Sequence, residues 1–257
     1  IRLGLLFLCH IQSSLVIAIG ILISFVFGLL TFTFENLDFK TPYVLEASQS
    51  KLVRNFFIIT AFYEFTQIII NNSDILLVKH YFESYEAGLY ASLALIGRIV
   101  YFIAWMFVML LLPTVVQLKK EGKPTLPILL KYVGYIAFIA IVIVTSCFLF
   151  PKEIIGLLFG SDYVSISSLL WKYALATSIF AISNIFAYYF LSLDTYIPVV
   201  LSGIFGMSQI ILIVLYHETL AQVVHVQIIA MLLLLIVQLS FFLYQGYKTS
   251  KPINQIK

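Results

Sequence analysis

The strongest constraint on this chain is a succession of continuously apolar runs, each close to the roughly 20 residues that a helix needs to cross the hydrocarbon core of a bilayer. Breaking the sequence at clusters of charge, Pro and Gly gives about seven of them, near 11–34, 55–78, 87–115, 132–150, 169–193, 196–216 and 222–246. A transmembrane barrel would instead show strands of about 10 residues with lipid-facing and lumen-facing side chains in alternation. The expected fold is therefore an all-α polytopic membrane protein. Composition agrees, since 62% of the 257 residues are apolar and 11% are charged, against about a quarter charged in a soluble domain. Too few charges remain to coat a water-facing surface, which argues against secreted, disordered, collagenous and nucleic-acid-binding classes. Cys9 and Cys147 lie in or beside apolar runs and read as small hydrophobes, not as a disulfide framework.

The placement of Lys and Arg orients the spans. One side holds Lys40, Lys51, Arg54, Lys119, Lys120, Lys123, Lys131, Lys248, Lys251 and Lys257, the other only Arg2, Lys79 and Lys152, with Arg98 and Lys172 inside spans. The positive-inside rule then predicts a cytoplasmic C-terminus and an N-terminus outside, in a cytoplasmic membrane. The chain opens at Ile1, and its first apolar run lacks a basic n-region and an A-x-A-like site, so no signal peptide is expected. A first span running inward from outside implies a segment upstream, and the chain reads as the C-terminal portion of a longer protein. On that reading, 1–34 is the last helix of a preceding half, and 35–54, with mixed charge and Pro42, is a cytoplasmic linker. Residues 55–247 form a six-helix membrane half and 248–257 a cytoplasmic tail.

An ionisable group inside a span is a functional candidate by default, because burying it costs about 2.5–3.5 kcal/mol on insertion scales. The second span carries Thr60, Glu64, Gln67, Asn71 and Asp74 at intervals of 4, 3, 4 and 3, which places all five within one arc of the helix. Such a stripe is expected to face the bundle interior or a water-filled cavity. Glu64 falls near the midplane and Asp74 near the outer interface. Arg98, about twelve residues into the antiparallel third span, reaches the depth of Glu64. The two are expected either to form a structural ion pair or to share a cavity.

Lys172, a few residues inside the fifth span, can snorkel to the outer interface, or contribute to a cavity with Ser165, Ser168 and Ser183 on its face. Gln222, His225, Gln227 and Gln238 read as interhelical hydrogen-bond partners. His10, His80 and His217 sit near span ends without metal-ligand spacing, so no metal site or cofactor is expected. Asn71-Asn72-Ser73 matches a glycosylation sequon by accident of its place in a span. No phosphate-binding loop, catalytic triad or sizeable extramembrane domain is present in the sequence, so the expectation is a transporter and not an enzyme.

Asn72-Ser73-Asp74-Ile75-Leu76-Leu77-Val78, then Glu86-Ala87-Gly88-Leu89-Tyr90-Ala91 and Leu112-Pro113, and the run from Pro151 to Gly160-Ser161-Asp162-Tyr163, resemble the oligosaccharide (O-antigen-type) flippases of polysaccharide biosynthesis. These belong to the multidrug/oligosaccharidyl-lipid/polysaccharide transporter superfamily. The resemblance covers about residues 50–250. It implies two six-helix halves, of which this chain would supply the second half and one preceding helix. It also implies translocation of a lipid-linked oligosaccharide, on an undecaprenyl diphosphate carrier, by alternating access, with H+ or Na+ as a coupling ion and membrane lipids as surroundings. By position it makes Arg98 a candidate head-group contact and Glu64 and Asp74 candidates for coupling or sugar contacts. Gln67, Asn71 and Lys172 complete the candidate cavity. Arg98 is the only deeply placed cation, a departure from a strongly cationic cavity. The alternatives are a multidrug exporter of the same superfamily, expected to carry an acidic cavity, and a membrane-embedded glycan polymerase or acyltransferase, expected to carry catalytic groups in large outer loops. The short outer segments near 79–86, 151–168 and 217–221 count against the latter.

Overall fold

A computed structural model describes residues 47–250 and four isolated helical positions, 19, 22, 23 and 26. Apart from those four positions, the expected first span lies outside the described residues, as do Cys9, His10, most of the expected linker and the last seven residues. The chain divides into two compact units, Ile1–Lys51 and Leu52–Lys257. The membrane bundle belongs to the second unit, apart from the opening residues of its first helix.

Among the described residues seven α-helices succeed one another: α1 (Ala47–Tyr81), α2 (Ser84–Lys120), α3 (Leu126–Leu149), α4 (Pro151–Phe159), α5 (Leu170–Ser192), α6 (Ile197–Leu215) and α7 (Leu220–Ser250), with a 3-10 segment, Ser161–Leu169, between α4 and α5. Among the described residues there is no strand. Among the described residues six helical segments are long and apolar enough to cross a membrane, and the protein is a multi-pass membrane protein. These six match the second to seventh expected spans.

Boundaries differ in informative ways. Residues 47–54, expected as linker, are already helical, because nothing from Ala47 onward breaks the helix. α2 runs on past the expected end at 115, through Pro113 to Lys120. Gly122, at φ 68°, closes it: Lys123 N–H bonds the Leu118 carbonyl and Gly122 N–H that of Lys119, the paired bonds of a Schellman cap. The interruption near Asp194 is real and uses the same device. Asp194 takes φ 62°, with Thr195 N–H on Phe190 O and Asp194 N–H on Leu191 O. Residues 151–168, expected as an outer loop, are instead α4 and the 3-10 segment, started by Pro151 at a first helical position and jointed at Gly160 (φ 96°). Pro lacks the N–H that a first turn leaves unpaired anyway, so it starts a helix without cost. Ile155 is buried while Leu157 is 87% exposed.

α5 is the central helix, with 78% of its span core buried against 17–33% for the other spans. It packs on α2, α3, α6 and α7. Ala174, Ala176, Ser178, Ala181, Ser183 and Ala187 are buried along it, and small side chains of this kind let helices approach closely where no hydrophobic effect drives them together. Gly97 on α2 shows how close: a Cβ there would lie 2.4 Å from Cδ1 of Tyr173 on α5. Two contacts fix the ends of the bundle. Lys119 Nζ bonds Asp194 Oδ2 at 2.9 Å, joining the ends of α2 and α5. Tyr81 stacks on His217 at 3.8 Å, joining those of α1 and α6. Both agree with antiparallel alternation of the spans.

Candidate functional site

The polar stripe of α1 finds partners on α2 and α5, while Gln209 of α6 bonds the neighbouring Ile70 carbonyl and Ser73 Oγ. A cavity of about 300 Å³ opens between α1 and α2. From α1 it is lined by Glu64, Gln67, Ile68, Asn71 and Asn72, and from α2 by Arg98, Tyr101, Phe102 and Trp105. Both sets recur at helical spacing, so each is one face of its helix, polar on α1 and aromatic on α2 beyond Arg98. Ile68 and Phe102, about 60% exposed, border the open side.

Glu64 and Arg98 share this cavity but do not pair. Arg98 Nη2 donates to the Asn71 carbonyl (2.6 Å) and to Asn72 Oδ1 (3.0 Å). The guanidinium therefore sits beside residues seven and eight positions beyond Glu64, about 10–12 Å along α1. Glu64 accepts instead from Tyr188 OH on α5. Tyr188 packs edge-on against Tyr63 with centroids 4.9 Å apart, and Tyr63 OH donates to Asn184 Oδ1 at 2.5 Å. The expected equal depth therefore does not hold: the guanidinium meets α1 about two turns beyond Glu64, out of reach of its carboxyl.

Three members of the stripe, Gln67, Thr60 and Asp74, leave polar atoms open. Gln67 is 2% exposed, and neither its Oε1 nor its Nε2 has a hydrogen-bond partner. It interacts electrostatically with Tyr63 without a bond of hydrogen-bond geometry. Thr60 Oγ1 is likewise buried and unpartnered. Asn71 Nδ2, which glycosylation would need free, bonds the Gln67 carbonyl at 2.9 Å.

Asp74 does not line the cavity. Although it shares the stripe, it is fully buried one layer further, where Tyr90 OH (3.0 Å) and Tyr173 OH (2.8 Å) both reach Oδ2. Tyr90 OH also lies 3.2 Å from Gln227 Oε1. Asp74 Oδ1 has no side-chain partner. A pocket of about 20 Å³, enough for one water molecule, is lined by Tyr173, Thr177, Gln209, Gln227 and Asn71. Asn71 therefore borders both this pocket and the larger cavity.

Lys172 stands apart from both. Its Nζ lies 3.1 Å from His225 Nε2 and 5.9 Å from the Trp171 ring centroid. Gln238 Nε2 bonds Ser202 Oγ between α7 and α6, and Gln227 meets Tyr90 of α2, both as interhelical partners. Gln222 does otherwise: it bonds Glu218 and Thr219 and caps its own helix. Among the described residues no group of three or more His, Cys, Asp or Glu is placed to hold a metal.

The sequence profile of a family described as polysaccharide biosynthesis protein matches residues 4–168, more than half of the chain. The chain belongs to that family. No match was found among curated proteins or among solved structures. The family match spans α1 to α4 and so contains Glu64, Gln67, Asn71, Asp74 and Arg98. It ends before Lys172 and before the α5 tyrosines that bond Glu64 and Asp74. In this family member, sequence reasoning missed those tyrosines and the aromatic wall of Tyr101, Phe102 and Trp105. Tyr101 and Trp105 share the helical spacing of Arg98, a signal that an apolar composition hides.

Proposed function

We propose that this protein translocates a lipid-linked oligosaccharide, carried on undecaprenyl diphosphate, across the cytoplasmic membrane for polysaccharide biosynthesis. The observation that carries this reading is the cavity of about 300 Å³ between α1 and α2. It gathers Glu64, Gln67, Asn71 and Arg98 between two membrane-long helices and opens beside exposed Ile68 and Phe102. A polar head group cannot cross about 30 Å of hydrocarbon unaided, whereas a cavity open along the bundle wall accepts it while the tail stays in lipid. The family assignment supplies the biosynthetic context. The chain acts as a transporter and not as an enzyme, with its C-terminus in the cytoplasm by the distribution of Lys and Arg. Asp74, with one carboxyl oxygen free and a water-sized pocket between its partners and Asn71, is the candidate for the coupling ion, H+ or Na+.

The test is reconstitution of the full-length protein into vesicles loaded on one leaflet with a fluorescent undecaprenyl diphosphate oligosaccharide. Transfer to the other leaflet, read by a membrane-impermeant quencher, is expected to exceed that of protein-free vesicles. Equal rates with and without protein would refute the reading.

A further inference from the structure

The charges of the α1–α2 cavity are balanced, which bears on what part of a substrate it takes. One guanidinium and one carboxyl line it, and both are already engaged: Arg98 Nη2 with Asn71 and Asn72, Glu64 with Tyr188. A diphosphate carries two or more negative charges and asks for unopposed cations, yet among the described lining residues Arg98 is the one cation, and Glu64 opposes it. What the cavity leaves unmatched is neutral. Gln67 presents a carbonyl oxygen and an amide nitrogen side by side, buried and unpartnered, and Arg98 Nε is buried and unpartnered as well. Buried polar groups are nearly always satisfied, and leaving one without a partner is costly. An amide that offers acceptor and donor together matches a pair of neighbouring hydroxyls, each of which donates and accepts. Across from it, Phe102 and Trp105 offer aromatic surface. Ligand sites are built in this way, from apolar and aromatic walls with a few placed polar groups.

We propose that this cavity is the subsite for one uncharged sugar ring of the transported glycan, with the hydroxyls read by the Gln67 amide and Arg98 Nε and the apolar ring face laid on Trp105, and that it is not the seat of the diphosphate. This subsite deepens the transport reading and rests on it. Arg98 then serves to hold α1 against α2 and to donate to a sugar oxygen.

The chain has two tryptophans, so a Trp171→Phe background leaves Trp105 as the reporter in the cavity. In lipid nanodiscs, its emission is titrated with glucose, galactose and N-acetylglucosamine, and separately with inorganic pyrophosphate. At least one sugar is expected to saturate the signal, with pyrophosphate giving no saturable change. Gln67→Met, which keeps the bulk and removes the amide, is expected to weaken sugar binding roughly tenfold, the loss expected when one or two good hydrogen bonds go. Thermal unfolding of the variant checks that it folds. Saturation by pyrophosphate alone, or by no probe, overturns the subsite, as does unchanged sugar binding in folded Gln67→Met. Each of these leaves vesicle transport to stand. Sugar binding without vesicle transport would refute the transport reading and leave the binding site.

Discussion

Replacing Gly97 by Ala tests whether the buried contact between α2 and α5 positions the Asp74 cluster. A methyl group there would sit 2.4 and 2.5 Å from Cδ1 and Cε1 of Tyr173 and 3.3 Å from Thr177 Cγ2. Tyr173 is 2% exposed and tied through its hydroxyl to Asp74, so the ring has little room to yield. If it stays, overpacking costs about 1–3 kcal/mol. If it moves, it leaves a buried hydroxyl or carboxyl unsatisfied, at about 1–3 kcal/mol. Ala is better than Gly in a helix by about 1 kcal/mol, which offsets part of either loss. The net expectation is a destabilisation of up to about 2 kcal/mol. Gly134 on α3 is the control, since nothing lies within 4 Å of a Cβ built there. Gly134→Ala is expected to be neutral or to stabilise by up to about 1 kcal/mol. The assay is thermal unfolding of both variants in the same detergent, where 1 kcal/mol corresponds to roughly 2–4 °C for a chain of this size. Gly97→Ala should lower Tm and Gly134→Ala should not. Equal Tm for the two variants would refute the contact as described.

Two groups outside the cavity give further outcomes. Cys147 is 2% exposed and has no disulfide partner, so in a Cys9→Ser background a water-borne maleimide should label the folded protein at least roughly tenfold more slowly than the protein opened in SDS; equal rates would contradict its burial. Glu121, exposed between α2 and α3, is held below the usual glutamate range chiefly by Lys123 (2.7 Å), with help from Gln117. A lowered folded value means that its contribution is present above the ordinary glutamate pKa and is lost as pH falls through the folded value. The Tm difference between wild type and Glu121→Gln should therefore be small near pH 7 and vanish near pH 3, and a difference that grows on acidification would reverse the sign of the interaction.

The sequence was most legible where one helix decides the matter alone. Glu64, Gln67 and Asn71 face one cavity, as spacings of 3 and 4 demand, and six apolar runs became six membrane-long helical segments. The interruption near Asp194 is also legible, and Asp tolerates the left-handed conformation that closes this helix better than most residues. It was less legible at the ends. Pro151 reads as a breaker in an outer segment, but at a first helical position it starts α4.

By itself, then, the sequence determined that the chain crosses a membrane as helices and which face of α1 is polar, since apolar length and helical period are local properties. Only the tertiary structure decided what that face meets. It divided one stripe between an open cavity at Glu64, Gln67 and Asn71 and a buried carboxyl at Asp74. It also gave Arg98 to Asn71 and Asn72, and brought in Tyr188 and Tyr173 from more than 90 residues away. The physical reason is that a period fixes a direction around one axis, while a partner depends on how neighbouring helices are offset. That offset is set by close approaches such as Gly97 on Tyr173, which the pattern along a single helix does not contain.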